Sequence, residues 1–399
     1  MWTNTDIVQI ANLSSTTYNN TELITFVTFK NQKLYVGRAD GKFECYNDPQ
    51  TKHYELQSHV SEFDYLESSD IQEKIVCAEI IQDGGISDIL FLSNEKSIKV
   101  WNCKLDIPTA KIISKEVNIQ PVTNNKNREA KNVIPRKSKL MYKSGSYKFD
   151  MLKEQRNIHL YTINSLHSSL NSEYLLSSDY LKINLWCTRN MDKAFCIIDI
   201  KPTRYEELAY VITSSRFKCD DDMVFGYSTS KGEINIQDLR IKSSSGKVMT
   251  MGKRTNSSVF DDLMKSISDF RFCDDHTIVA RDLSSLTLFD TRNTNKELKS
   301  VKVFHSDGNL IDDIFESQTA YEKFLVEVSQ NKIVTGNFGN KIFILDKVSF
   351  ATEEISVGEI NGDLEIVDFS TRIRNIAVEN NNIVAALGDQ CYFYKNVDV

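Results

Sequence analysis

The sequence contains few proline and glycine residues and no closely paired cysteines. Among its 399 residues there are 5 prolines and 15 glycines. No stretch therefore has the composition of a flexible or proline-rich linker, and we expect one continuous domain over residues 1–399. No CxxC pair occurs among the 8 cysteines, so a zinc site built on such a pair is not expected. A disulfide framework is not expected either, because the chain carries no export signal.

Signals for export and for membrane insertion are also missing. The chain has no apolar run of about 18 residues, the length that a membrane-spanning helix requires. Its first residues, MWTNTDIVQIANLSS, have neither the basic nor the apolar region of a signal peptide. We therefore expect an intracellular protein, in the cytoplasm or the nucleus, without a membrane partner. The net charge of −7 argues against a general nucleic-acid binder.

Motifs for catalysis and for cofactor binding are not found either. The 6 histidines show no ligand spacing with the cysteines. There is no GxSxG, Walker or glycine-rich phosphate loop. The sequence thus predicts a protein that is not an enzyme and that holds no cofactor and no metal.

What the sequence does contain is a repeated strand pattern. In SSDYLKINLW (177–186), a Ser/Asp turn precedes a strand in which Ile183 and Leu185 alternate with Lys182 and Asn184. We interpret this strand as part of the inner half of a β-propeller blade. The turn, the alternating strand and the polar stop recur seven times. The copies lie at 38–47, 93–102, 177–186, 229–238, 282–290, 337–346 and 387–395.

The spacing of these copies predicts the fold. The ends of successive alternating strands are mostly separated by roughly fifty residues. A WD-type blade takes about 40–45 residues, so most gaps equal one blade and a modest loop. Seven blades in a closed ring also explain how a long all-β chain avoids exposed sheet edges. The predicted fold is therefore all-β, a seven-bladed WD-repeat β-propeller. We expect a strand at 6–10 to complete the last blade, formed by 367–396.

Three segments are too long for tight turns. Residues 47–70 and 104–157 are predicted insertions, and 242–262 is predicted to be a mobile, serine-rich loop. Loops of this length in compact folds are typically functional or disordered. A basic cluster at 126–143 fits a surface loop, a contact with an acidic protein, a nuclear-localisation segment or a phosphate contact.

Several blocks are more specific than the strand pattern. They include QSHVSEFDYLESSDIQEKI (57–75), SNEKSIKVW (93–101), LSSDYLKINLW (176–186), IIDIKPTRYEELAYVIT (197–213), YSTSKGEI (227–234) and SISDFRF (266–272). The FDYL and DIKP…EEL blocks are not general features of WD repeats. Together the blocks resemble the WD-repeat B-family regulatory subunits of serine/threonine protein phosphatase 2A. The resemblance covers about residues 35–101 and 157–346 and hardly includes 104–156.

The resemblance implies a regulatory subunit with no catalysis of its own. Members of this family dock on a helical-repeat scaffold subunit and contact the catalytic subunit of the phosphatase. They recruit phosphoprotein substrates, with basic and hydrophobic segments, to an acidic groove on the top face of the propeller. The family's scaffold-docking arm is a hairpin in the region equivalent to 104–156, where this sequence offers little that matches.

The resemblance also implies which residues form the substrate groove. The matching positions are Phe63, Glu73, Lys74, Tyr161, Asp179, Leu208 and Val211, with Tyr180 standing where the family has a second acidic residue. Further departures are Glu67, Gln72 and Thr162, where the family has Lys, Glu and His. We expect the change at Tyr180 to matter most, because the family's carboxylate is a principal substrate contact.

The residues themselves support a docking role for part of this set. Leu208 and Val211 lie beside Glu206 and Glu207. An apolar anchor flanked by carboxylates suits a basic-hydrophobic segment, with the rim charge assisting encounter more than affinity. The acidic residues of 62–73 are either a solvated surface or one wall of an acidic cleft.

Three other functions remain open on the sequence. One is a general WD-repeat interaction scaffold that no longer binds the phosphatase. Another is a hydrolase with its site in the central channel, although no convergent catalytic set appears on the innermost strands. The third is a nucleic-acid-binding propeller, for which only 126–143 argues and which a steep salt dependence would reveal.

Overall fold

The computed structural model describes residues 2–9, 24–49, 51–65, 68–83, 87–106, 146–241, 249–252, 265–303, 322–358 and 372–396. Within these ranges the chain forms thirty strands and one short 3₁₀ helix, η1 (Tyr205–Glu207). Twenty-eight strands belong to seven four-stranded antiparallel sheets, and the other two form a small hairpin. In the described part of the chain, no helix has the length and apolar character needed to span a bilayer.

The sheets follow one another along the chain as blades. Strand β1 (Trp2–Gln9) belongs to blade 7. Blade 1 is β2 (Ile24–Lys30), β3 (Lys33–Arg38), β4 (Lys42–Asp48) and β5 (Thr51–Gln57). The small hairpin is β6 (Glu62–Asp64) and β7 (Ser69–Ile71). Blade 2 is β8 (Cys77–Asp83), β9 (Ser87–Ser93), β10 (Ser97–Asp106) and β11 (Ser146–Arg156). Blade 3 is β12 (Ser165–Ser168), β13 (Tyr174–Ser178), β14 (Lys182–Cys187) and β15 (Asn190–Asp199).

The remaining blades repeat this order. Blade 4 is β16 (Ile212–Phe217), β17 (Val224–Thr229), β18 (Ile234–Asp238) and β19 (Met249–Met251). Blade 5 is β20 (Asp269–Phe272), β21 (Thr277–Arg281), β22 (Ser285–Asp290) and β23 (Asn293–Lys302). Blade 6 is β24 (Val326–Ser329), β25 (Lys332–Gly336), β26 (Lys341–Asp346) and β27 (Thr352–Ser356). Blade 7 is β28 (Ile376–Glu379), β29 (Asn382–Leu387) and β30 (Gln390–Asn396), with β1 as its outer strand.

The predicted seven-bladed propeller is confirmed. The first strand of each blade contacts the first strand of the next, from β2 and β8 around the ring to β28 and back to β2. Ring closure by an N-terminal strand is also confirmed, although that strand runs Trp2–Gln9 rather than 6–10. One detail is wrong: the alternating strand of each repeat, such as β14, is third from the channel. It lies in the outer half of its blade because two less regular strands precede it.

The predicted loop segments contain more strand than their composition indicates. Residues 47–70 include β5, the outer strand of blade 1, followed by the β6–β7 hairpin. Residues 104–157 include the end of β10 and all of β11, and 107–145, with the basic cluster 126–143, lie outside the described residues. The serine-rich segment 242–262 includes β19, the outer strand of blade 4, while 242–248 and 253–262 lie outside the described residues.

The core lies between neighbouring blades. Between blades 2 and 3, Phe91 and Val100 pack with Leu175 and Trp186. Trp186 is fully buried, as expected for a core residue, and truncating an aromatic of this kind costs about 3–5 kcal/mol. All 8 cysteines are free thiols, and burial raises the pKa of the Cys45 thiol to about 12.

Candidate functional site

One face of the ring carries most of the predicted site residues. It is formed by the loops that lead from the fourth strand of one blade to the first strand of the next, together with the turns between second and third strands. Backbone hydrogen bonds join these two sets: Ile212 N donates to Tyr180 O over 2.8 Å, and Ser230 N donates to Val211 O over 2.9 Å. We call this surface the top face.

Three tyrosines meet on the top face between blades 3 and 4. Tyr161 and Tyr180 contact edge to face with ring centroids 6.4 Å apart, and the Tyr161 hydroxyl donates to the Tyr205 hydroxyl over 3.3 Å. Tyr180 is 42% exposed and Tyr205 is 57% exposed. We call Tyr161, Tyr180 and Tyr205 the tyrosine cluster. Exposed aromatic side chains held in place by one another are suited to anchor a partner segment, because little side-chain entropy is lost on binding.

The hydroxyl groups of Tyr161 and Tyr205 in the tyrosine cluster have pKa values shifted in opposite directions. The hydrogen bond to Tyr205 raises the pKa of Tyr161, whereas the same bond and the nearby Lys201 ammonium lower the pKa of Tyr205. The Lys201 ammonium also lies 5.8 Å from the Tyr205 ring centroid. A cation already stacks on this aromatic surface, so the cluster accepts cations as well as apolar groups.

The loop 200–211 presents Leu208 and Val211 beside the tyrosine cluster. Its single 3₁₀ turn, η1, begins after Arg204 and ends at Leu208, whose amide donates to Tyr205 O over 3.0 Å. Leu208 and Val211 are both half-buried. The Val211 amide donates to Ser230 Oγ over 3.0 Å, which fixes the end of the loop to blade 4.

Two carboxylates accompany this apolar pair. Glu206 and Glu207 are exposed on η1. In the described part of the chain neither forms an ion pair, so their charge faces solvent. This arrangement matches the expectation of an apolar anchor with a carboxylate rim.

A second aromatic patch lies on the hairpin between blades 1 and 2. Phe63, on β6, contacts Tyr65 edge to face with ring centroids 5.1 Å apart. Phe63 is 48% exposed and Tyr65 is 85% exposed. They line a cavity of about 230 Å³ that also includes Lys96 and Arg156. We call Phe63 and Tyr65 the hairpin patch.

A glycine positions the hairpin against blade 1. Gly41 has φ +76°, and a Cβ there would lie 2.1 Å from His59 O. The Gly41 carbonyl accepts hydrogen bonds from the amides of Ser58 and His59 at 3.0 and 3.2 Å. Only glycine permits both this backbone conformation and this approach.

The wall near the hairpin patch is less acidic than its composition indicates. Arg156 binds Glu62 with two hydrogen bonds, Nη1 to Oε2 at 2.6 Å and Nη2 to Oε1 at 3.1 Å. A bidentate pair of this kind neutralises the carboxylate locally. Asp64 and Glu73 are half-buried and Asp70 is exposed.

Lys74 lies at the centre of the ring rather than on the rim. It lines the central channel, as do Tyr180 and Thr162. The predicted groove residue Tyr180 therefore borders both the tyrosine cluster and the mouth of the channel.

Asp179 is not a surface residue, and the prediction that it contacts a substrate is wrong. It is 0% exposed. Its Oδ1 accepts hydrogen bonds from the amides of Leu181 and Lys182, each at 2.7 Å. Its Oδ2 lies 3.1 Å from His159 Nδ1. Burial raises the pKa of Asp179, but these hydrogen bonds outweigh it and hold the pKa below its usual value.

The contacts of Asp179 belong to a buried chain inside blade 3. His159 Nε2 lies 2.7 Å from Ser177 Oγ, which also accepts a hydrogen bond from Trp186 Nε1 at 2.8 Å. The chain ties the loop before β12 to the turn that carries Tyr180. Asp179 thus holds the neighbouring Tyr180 in place instead of meeting a partner.

The structure separates the predicted residues into two aromatic patches and a channel-lining lysine. Phe63 belongs to the hairpin patch; Tyr161 and Tyr180 belong to the tyrosine cluster, with Leu208 and Val211 on the adjoining loop. Among the departures from the family pattern, Gln72 is exposed and its carbonyl accepts Asn94 Nδ2 at 3.2 Å, while Glu67 lies outside the described residues. Sequence reasoning missed Tyr65 and Tyr205 as site residues. Their signal was present, since each lies inside a specific block, FDYL or DIKP…EEL.

The described residues contain no group of three or more His, Cys, Asp or Glu side chains arranged to hold a metal ion.

Comparison with known proteins places the chain in a family. No protein-family model matches it. It is 33% identical over 301 residues to the regulatory B subunit of protein phosphatase PP2A from Candida tropicalis, covering 73% of this chain and 58% of that relative. It is 29% identical over 341 residues to the serine/threonine-protein phosphatase 2A regulatory subunit phr2AB of Dictyostelium discoideum, covering 75% of this chain and 70% of the relative.

A third relative gives the same result. The chain is 30% identical over 331 residues to the B beta isoform of the serine/threonine protein phosphatase 2A 55 kDa regulatory subunit from Arabidopsis thaliana, covering 75% of this chain and 66% of the relative. The chain thus spans less than two thirds of the length of the first of these relatives, at 58%. With a seven-bladed ring and the family's FDYL and DIKP…EEL blocks on one face, this chain belongs to the B-family regulatory subunits of protein phosphatase 2A.

Proposed function

We propose that this chain is a non-catalytic regulatory subunit of protein phosphatase 2A that recruits phosphoprotein substrates through its top face. The observation that carries the proposal is the similarity to curated proteins named as regulatory subunits of this phosphatase. The geometry of the top face supports it, because two exposed aromatic patches and the Leu208 loop offer anchors for another protein.

The substrate segment in this proposal carries basic and hydrophobic side chains. Hydrophobic side chains pack on the hairpin patch and on the tyrosine cluster, since buried aromatic contacts provide most of the energy in small interfaces. Basic side chains approach Glu206 and Glu207, which act mainly on encounter and orientation.

The regulatory effect is one of proximity. The chain docks on the helical-repeat scaffold subunit and on the catalytic subunit, and the phosphatase metals belong to the catalytic partner. A substrate held on the top face then meets the catalytic site at an effective concentration on the order of millimolar. No nucleic acid and no membrane takes part, and the proposed location is intracellular, in the cytoplasm or the nucleus.

Co-purification tests the association with the phosphatase. The tagged full chain is expressed with the scaffold and catalytic subunits of the phosphatase, and the purified complex is analysed by size exclusion. We expect the three proteins to elute together, and the complex to dephosphorylate a captured phosphoprotein faster than the scaffold–catalytic pair. Failure to co-elute at micromolar concentrations would contradict the proposal.

One observation favours a second candidate function, a general WD-repeat interaction scaffold that no longer binds the phosphatase. Region 104–156 hardly matches the family, and it is there that the family's docking arm lies. In this case the chain would still capture proteins on its top face, but the scaffold subunit would be missing from them. The same co-purification distinguishes the two functions.

A further inference from the structure

The central channel of the ring contains a cavity of about 400 Å³. It is lined by residues of the first strands and of the loops just before them, and it opens beside Tyr180 on the top face. Of the residues assigned to substrate recruitment under the proposed function, Tyr180 alone lines this cavity. Its charge, however, is unlike that of the chain as a whole, which is acidic with a net charge of −7.

Cationic side chains dominate the described lining of the channel. Six of them face two carboxylates. The cations are Lys30, Lys74, Arg216, Arg271, Lys323 and Arg374, and the carboxylates are Glu79 and Glu327. A third carboxylate, Asp269, is fully buried behind the wall and pairs with Arg216 at 3.2 Å. Lys30, Arg271 and Arg374 are paired as well, with Glu79, Glu327 and Glu322. The excess positive charge in this confined space is therefore that of Lys74 and Lys323, and low-dielectric walls strengthen its field.

Several of these cations keep donors free for another group. Lys323 Nζ donates to Asn164 O at 2.8 Å and to Thr213 O at 3.1 Å, which leaves its third N–H without a partner among the described residues. Arg216 Nε is buried without a hydrogen-bond partner. In the described part of the chain, Lys74 makes no ion pair at all. Buried donors of this kind are costly unless a ligand or water satisfies them.

The cations are close enough to repel one another. Burial and the charge of Arg271 lower the pKa of Arg216, although Asp269 and Glu327 act in the opposite direction. Burial also lowers the pKa of Lys323, and the positive charges of Arg216 and Arg271 contribute to the lowering. An anion placed among them would relieve this repulsion, and binding would therefore be coupled to the charge state of the wall.

We propose that the central channel is a binding site for a multiply charged phosphate-type anion. Lys74, Arg216 and Lys323 line the same cavity, and their N–H groups supply charge-assisted hydrogen bonds to phosphate oxygens. A cavity of about 400 Å³ is roomier than a single phosphate needs, so the ligand class is a polyphosphate rather than inorganic phosphate. This inference stands apart from the phosphatase association, because it concerns the isolated chain.

Isothermal titration calorimetry of the purified full chain with sodium pyrophosphate and with sodium tripolyphosphate tests this site. We expect saturable binding of one anion per chain, weaker binding of inorganic phosphate, and loss of affinity as sodium chloride is raised. No saturable heat with either polyphosphate at low salt would overturn the proposal.

Matched lysine variants locate the site. Lys74→Gln removes an unpaired channel charge without removing a structural contact, and we expect it to weaken tripolyphosphate binding about tenfold, the effect of losing one charge-assisted bond. Lys231→Gln makes the same charge change at an exposed turn of the top face that does not line the channel, and we expect it to bind as the parent does. An equal loss in both variants would assign binding to the general surface charge and contradict a channel site. Thermal melting of both variants establishes that each is folded.

Discussion

Tyr180 and Tyr161 contact each other edge to face across the boundary between a turn and an inter-blade loop, with ring centroids 6.4 Å apart. The backbone of Tyr180 is fixed at the same time, because its carbonyl accepts the Ile212 amide at 2.8 Å. Tyr180 also stands where the family carries an acidic side chain. By that resemblance, an aromatic group stands in place of a carboxylate where the channel mouth and the tyrosine cluster meet.

Tyr180→Asp is expected to change which proteins bind. The substitution restores a carboxylate and removes the ring contact, which is worth about 0.5–1.5 kcal/mol. Because the side chain is exposed, we expect a small loss of stability and a shift of the captured proteins towards those with more lysine and arginine. Affinity capture followed by mass spectrometry measures the shift. Phe195→Asp, on the outer strand β15, is the control, and an unchanged set of captured proteins would remove Tyr180 from the site.

Leu208→Ala is expected to weaken substrate capture without unfolding the ring. Leu208 is half-buried on a loop, and truncating an interface anchor costs about 1–2 kcal/mol of binding free energy. Titration of a captured phosphoprotein with each variant measures the change in Kd, with Val348→Ala, at an exposed turn of blade 6, as a matched truncation. An insoluble or strongly destabilised Leu208→Ala protein would mean that this side chain belongs to the core.

Asp179→Ala is expected to be strongly destabilising. It leaves His159 Nδ1 and the amides of Leu181 and Lys182 without their acceptor in the interior of blade 3. Breaking a buried polar network of this kind costs about 3–5 kcal/mol. Urea unfolding measures the loss, and Asp70→Ala, at an exposed position of the hairpin, is the control. Equal stability of the two variants would contradict the structural role of Asp179.

Mild acid is expected to destabilise the protein through its buried histidines. Burial, together with the charges of Lys99 and Arg156, lowers the pKa of His59 to about 3, and burial lowers the pKa of His167 well below its usual value. The unfolded chain therefore binds protons at a higher pH than the folded chain. Stability falls as the pH drops below about 6.5, by up to about 1.4 kcal/mol per pH unit for each such histidine.

His59→Leu tests the contribution of one of these histidines. Urea unfolding between pH 7 and 5 avoids most of the carboxylate titration, and we expect a shallower pH dependence in the variant than in the parent. His276→Leu, at an exposed position, should keep the parental slope. A variant at His59 with the full parental slope would show that another group causes the acid sensitivity.

The fold could be predicted from the sequence because each repeat contains a strand in which apolar and polar residues alternate. Ile234 and Ile236 in β18 alternate with polar neighbours, which is the two-residue period of a strand, although the structure buries Asn235 as well. The outer strands are harder to predict: the sequence of β5, with Lys52, Tyr54 and Leu56, indicates an insertion rather than a strand. Such strands are exposed on one side and lack a strong apolar pattern, so composition alone indicates a loop.

The candidate site was predicted in part. Leu208 and Phe63 lie on the top face as the block resemblance implied, since short specific blocks mark the loops that carry them. The burial of Asp179 could not be predicted. A carboxylate next to a turn has the same sequence signal whether it faces solvent or accepts hydrogen bonds from two backbone amides. The partner of Asp179, His159, lies on a different loop, and no local pattern around Asp179 indicates that contact.

The pairing of β1 with β30 has a consequence for how the protein is made. Among the described strands, the first to leave the ribosome pairs with the last, with Trp2 opposite Asn396. Blade 7 is therefore incomplete until β30 has been translated, and during that time β1 and the unpaired edge of the nascent array are open to other strands. The β1–β30 seam is therefore the last pairing that the ring can complete, and it depends on both ends of the described chain being present at once.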